Sequence, residues 1–66
     1  MEVKLLDTSL FINGNKVGNI TKNPSWNNNY LAQYDGHPSK DQFCDNENEA
    51  IKYLVFIYTI IGSKNV

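Results

Sequence analysis

Residues 46 to 62 constrain this chain more than any other stretch. Asn46-x-x-Glu49 has the form of a helix-capping pair, in which the Asn46 side chain takes the Glu49 amide and Glu49 reaches back. Glu47 and Glu49 fall in the first turn, where the positive end of the helix dipole favours acids. Gly62 stands where a C′ residue closes a helix. These signals predict a helix over 47–61. They outweigh the strand preference of Tyr53–Ile61, which is rich in β-branched and aromatic residues.

On a helix, Ala50, Leu54, Ile57 and Ile61 make one stripe with the spacing of a core face. Ile51, Val55 and Tyr58 make a second stripe, and Tyr53, Phe56 and Ile60 a third. The C-terminal half is therefore apolar on every side, and one small sheet covers one side only. Tyr53, Phe56 and Ile60 are the residues expected to form an oligomer interface, and a two-fold dimer is the commonest closed arrangement.

The rest of the chain supplies the sheet. Val3, Leu5, Leu6, Leu10, Phe11 and Ile12 form a β-rich run, and Asn13-Gly14 follows as a hairpin turn that tolerates positive φ at both positions. Lys16–Thr21 returns with Val17 and Ile20, so residues 3–21 read as a hairpin. Gly18 within the return strand signals a bulge or a close backbone approach. Residues 22–29 carry Pro24 and an asparagine cluster and read as a loop. Tyr30–Tyr34 alternates with period two, placing Tyr30, Ala32 and Tyr34 on one face and Leu31 and Gln33 on the other. Asp35-Gly36-His37-Pro38 is a turn, and Gln42-Phe43-Cys44 a short fourth strand. The expected fold is α+β: an antiparallel sheet of three to four strands packed by one C-terminal helix, as a single domain over 1–66.

Only 66 residues are present, with one cysteine and one histidine. A domain this small usually needs a disulfide, a metal or a partner subunit. Cys44 has no partner for a disulfide within the monomer, and Cys44 with His37 falls short of the four ligands of a structural zinc. Oligomerisation is the staple that remains. No basic-then-apolar leader opens the chain, so a cytoplasmic location is expected, and Asn19-Ile20-Thr21 is read as a chance glycosylation pattern. The longest apolar run is too short to span a bilayer. The chain has no arginine and is rich in asparagine, lysine, isoleucine and tyrosine, which fits an AT-rich gene of the phage or mobile-element kind.

Catalysis needs converging groups with tuned proton affinities. His37 with Asp35 or Asp41 is the one acid–base candidate, and a turn histidine reads as solvated. Cys44 reads as a small buried hydrophobe. The acids Asp41, Asp45, Glu47 and Glu49 lack the central glycine and ligand run of a calcium loop. No phosphate-binding or nucleophile motif occurs. The chain is expected to be no enzyme and to need no cofactor and no metal. Trp26, Tyr30 and Tyr34 are the candidate ligand- or partner-binding residues. Such aromatics stack on bases, anchor protein interfaces, or pack the helix against the sheet.

Tyr30-Leu31-Ala32, Asp35-Gly36, Phe43 and Glu49-Ala50 follow the order of elements seen in AP2-type and phage-integrase arm-binding domains, and the stretch from Trp26 to Leu54 resembles them. HicB-like antitoxin domains are similar in rhythm. The resemblance implies a three-stranded sheet with a helix, and nucleic-acid binding by the sheet. Against that function stand the missing arginines and a net charge of −1, since phosphate neutralisation drives DNA affinity. Lys4, Lys16, Lys22, Lys40, Lys52 and Lys64 are scattered evenly. The leading expectation is a non-catalytic, homo-oligomeric accessory protein or inhibitor that blocks a host protein or sequesters a small ligand. A nucleic-acid-binding accessory protein and a nucleotide sponge with an aromatic pocket are the alternatives.

Overall fold

The computed structural model describes residues 1–62; Lys64 lies outside them. Among the described residues, five strands and one α-helix follow in chain order: β1 (Val3–Leu6), β2 (Ser9–Ile12), β3 (Asn15–Lys22), β4 (Tyr30–Tyr34), β5 (Gln42–Cys44) and α1 (Glu47–Ile61). A short 3-10 turn, Pro38–Lys40, precedes β5. Every neighbouring pair is antiparallel, and the sheet order is the chain order. The α+β architecture is the expected one, with more strands than the three to four expected.

The extra strand comes from residues 3–12, which are not one strand. Asp7 takes φ 60°, a left-handed value, and Asp7-Thr8 becomes a two-residue turn between β1 and β2. Aspartate reaches this region more readily than most side chains. The second turn is the expected one: Asn13 and Gly14 have φ 54° and 84°, both positive as the favoured hairpin turn requires.

Gly18 answers both of its readings. The register between β2 and β3 shifts, so that Leu10 faces Gly18 and Phe11 faces Lys16, with Val17 left over as a bulge. The bulge turns Val17 into the core, and its carbonyl accepts the Asp35 amide at 2.9 Å. A Cβ on Gly18 would overlap the Gln33 carbonyl oxygen and stand 3.3 Å from the Tyr34 Cα, so β4 lies directly against it.

The helix begins as its sequence implies. Asn46 is extended, and its side-chain oxygen accepts the Glu49 amide at 2.9 Å. Glu49 reaches back one residue further than a simple capping box, to the Asp45 amide. The helix end departs from expectation. Gly62 has φ −65° and is right-handed, so it is not a left-handed C′ residue. Space makes it glycine instead: a Cβ there would meet the Tyr58 ring at 2.8 Å and the Tyr34 hydroxyl at 3.3 Å.

Helix and sheet share one core. Leu10, Ile12, Val17, Ile20, Ala32 and Cys44 come from the sheet, and Ala50, Leu54 and Ile57 from the helix. The predicted core stripe of the helix is thus buried up to Ile57, with Ile61 half-buried. The helix packs mainly on β3, β4 and β5. The opposite face of the sheet has no covering layer among the described residues.

Candidate functional site

Register decides what each face displays. Tyr30 pairs with Cys44, Ala32 with Gln42, and Gly18 with Tyr34, which fixes Tyr30, Ala32 and Tyr34 on the helix side. Leu31 pairs with Thr21 and with Phe43, and Gln33 with Asn19, on the uncovered side. Tyr30 and Tyr34 are half-buried against the core. Burial, the neighbouring Tyr58 and Asp35 push the Tyr34 phenol above its ordinary pKa. Lys22 sits 5.7 Å from the centre of the Tyr30 ring.

Trp26 belongs to the other side. Its ring meets Phe43 edge-to-face, 5.4 Å between centroids and 80° between planes. The expected trio of Trp26, Tyr30 and Tyr34 is therefore divided: the two tyrosines face the helix, and the tryptophan pairs with Phe43. The reason is the pleat. Phe43 and Cys44 point to opposite faces, and burial of Cys44 leaves Phe43 outside, 50% exposed.

The asparagine-rich loop holds Trp26 in place. The Asn23 amide donates to the Asn29 carbonyl at 2.8 Å and closes the neck of the loop. The Trp26 amide donates to the Asn23 carbonyl at 3.1 Å, and the Asn23 side chain accepts the Ser25 amide at 3.0 Å. Asparagine is suited to such local side-chain turns. The Asn28 side chain donates to Asp45, which ties the loop to the helix entrance. Ser25, Trp26, Asn27, Asn28 and Phe43 enclose an open depression of about 370 Å³. Two of these five residues are aromatic, and two carry side-chain amides.

The remaining candidates are placed singly. Tyr53 departs from its stripe: its hydroxyl donates to the Lys40 carbonyl and its ring packs against the core. Phe56 and Ile60 are left outward, 58% and 41% exposed. His37 lies against the Tyr34 ring, 5.6 Å between centroids, while Asp35 pairs with Lys16 at 3.4 Å and Asp41 accepts from the Gln33 side chain. Cys44 is buried, and that burial, followed by Glu49 and Asp45, pushes its thiol up. Among the described residues, no group of three His, Cys, Asp or Glu side chains is placed to hold a metal ion. No described helix is long and apolar enough to cross a membrane.

Phe43 and Leu31 were the residues missed as site candidates. Their signal was available: two apolar residues at outward positions of neighbouring strands, opposite inward Cys44 and Ala32. It was unreadable until the inward face was known. The open face carries Lys4 and Lys16 with Phe11 opposite both, and Glu2 and Leu6 beside Lys4; Lys16 is paired with Asp35. No family model, no curated protein and no solved structure matches this chain.

Proposed function

We propose that this chain is a non-catalytic, homo-oligomeric binding protein that attaches to a partner protein through the aromatic corner of Trp26 and Phe43, and blocks it. The observation that carries the reading is that corner: two aromatic rings held edge-to-face on a face with no covering layer, with Leu31 beside Phe43 in register. Tryptophan and other aromatics dominate the centres of protein interfaces, and a rim of polar groups excludes water around them. Asn27 and Asn28 line the same depression and supply polar groups beside the rings. The composition expected of an AT-rich gene supports an accessory protein or inhibitor from a mobile element, acting inside the host cell.

A small planar ligand is the second reading. The depression has the volume of a small-molecule site, and side-chain amides next to aromatic rings suit a stacked, hydrogen-bonding ligand. Its open side favours a protruding partner over an engulfed ligand. Nucleic acid ranks behind both, because the open face offers too little positive charge to neutralise phosphates.

Affinity capture from the producing cells, with the wild type beside the Trp26→Ser/Phe43→Ser double variant, tests the reading. A protein retained in fixed proportion by the wild type and lost by the variant supports it. A retained small mass instead supports the ligand reading. Equal capture by both forms, or capture by neither, would falsify the assignment to this corner.

A further inference from the structure

The outer edge of the sheet carries more than an unpaired strand. Of the six large apolar side chains exposed among the described residues, Met1, Val3 and Leu6 lie on or next to β1, and the helix packs mainly elsewhere. β1 is the terminal strand of the sheet. The Glu2 carbonyl accepts the Asn13 amide at 2.8 Å, so Glu2 extends the strand and bonds toward β2. Backbone bonding directions alternate along an antiparallel strand. The amide and carbonyl groups of Val3 and Leu5 therefore point away from the sheet. No proline or bulge blunts this edge.

We propose that the protein dimerises by pairing β1 antiparallel with β1 of a second copy, with Val3 on the two-fold axis. This pairing presupposes the homo-oligomeric protein proposed above and says which of its surfaces meet. Charge selects the register. With Val3 opposite Val3 of the copy, Lys4 stands opposite Glu2 of the copy on the open face, and Glu2 opposite Lys4. Both ends of the ladder gain an opposite-charge pair. Leu5 stands opposite Met1 of the copy on the core side. With Lys4 on the axis, two lysines would instead face each other directly, a destabilising arrangement. With Leu5 on the axis, Lys4 would face Leu6 and the ladder would run into Asp7, whose φ of 60° ends the strand. The Val3 register also places on the axis a residue whose amide and carbonyl are both directed outward, so the two copies exchange both bonds. The sheet then continues across the axis as ten strands, with both helices on one face and both aromatic corners on the other.

The helix stripe is a weaker candidate. With Tyr53 held to Lys40, Phe56 and Ile60 alone project, and side chains of this size offer roughly 200 Å² between them. A standard interface takes about 800 Å² from each partner.

Sedimentation velocity on the full chain and four variants tests the pairing. Wild type is expected to be a dimer. Glu2→Lys and Lys4→Glu each turn two opposite-charge pairs into like-charge pairs and should weaken dimerisation by about fivefold or more. Glu2→Lys/Lys4→Glu restores the pairs in reverse and should recover the dimer. Val3→Pro removes the outward amide on the axis while sparing the β1–β2 ladder, and should be a folded monomer by circular dichroism. A wild-type monomer at tens of micromolar would overturn both this pairing and the homo-oligomeric reading. A dimer unaffected by all four variants, but dissociated by Phe56→Ser, would overturn the pairing alone.

Discussion

Replacing Gly18 with alanine strains the closest backbone approach in the sheet. The new Cβ would overlap the Gln33 carbonyl oxygen and lie 3.2 Å from the Gln33 carbonyl carbon. Ordinary carbon–oxygen spacing is about 3.3 Å, so β3 and β4 must separate by roughly 1 Å there. The neighbouring bond from the Asp35 amide to the Val17 carbonyl, 2.9 Å long, then exceeds hydrogen-bonding distance. Overpacking costs about 1–3 kcal/mol, and the lost bond about 1 kcal/mol, giving about 2–4 kcal/mol in all. A chain of this length has a total stability of roughly 3–10 kcal/mol. Urea unfolding followed by Trp26 fluorescence reads the difference, with a midpoint lowered by about 2 M or more, or no folded baseline. Gly14→Ala is the control. Nothing crowds that position, and the cost is that of a side chain at φ 84°, about 1–2 kcal/mol. If Gly18→Ala stays within about 0.5 kcal/mol of wild type, the close approach of β3 and β4 is wrong.

Three further outcomes follow from single side chains. Leu54 is fully buried in the core, so Leu54→Ala should cost about 3–5 kcal/mol and leave the protein largely unfolded; a folded variant with near wild-type stability contradicts the core assignment. Asn46→Ala removes the cap on the Glu49 amide and should cost about 0.5–2 kcal/mol, while Asn46→Asp should stay close to wild type in the same urea titration. The Cys44 thiol is held above its ordinary value by burial, Glu49 and Asp45, so the folded chain keeps the proton longer than the unfolded chain. That stability is fully present below the ordinary thiol value of about 8.5 and is lost as pH rises through the raised one. Cys44→Ala should therefore show a shallower fall in melting temperature above that point, and an unchanged slope would refute the shift.

Local chemistry made much of the fold legible. Asn46 and Glu49 marked the helix start, Asn13-Gly14 the hairpin turn, and the Tyr30–Tyr34 alternation the pleat of β4. Each acts over a few residues, where geometry follows from side-chain type. The Asp7-Thr8 turn was hidden because Leu6 to Phe11 holds only moderate turn formers among apolar residues, and the bond that fixes Asp7 at positive φ is the β1–β2 pairing itself. Gly62 misled for a similar reason. Its position suits a helix stop, but the constraint on it comes from the Tyr58 and Tyr34 side chains. The site was half visible. Trp26 stood out by type, while its partner Phe43 is 17 residues away and meets it only after register sends Cys44 inward. Long-range register also separates Trp26 from Tyr30, which four residues of sequence would place together.

Native mass spectrometry of the protein purified gently from the cells that make it tests the central claim most directly. Subunit number and any retained partner are read in one spectrum. The account predicts an even number of chains carrying a partner protein in fixed proportion, with that partner lost from the Trp26→Ser/Phe43→Ser form. A bare monomer from wild type and variant alike would contradict it.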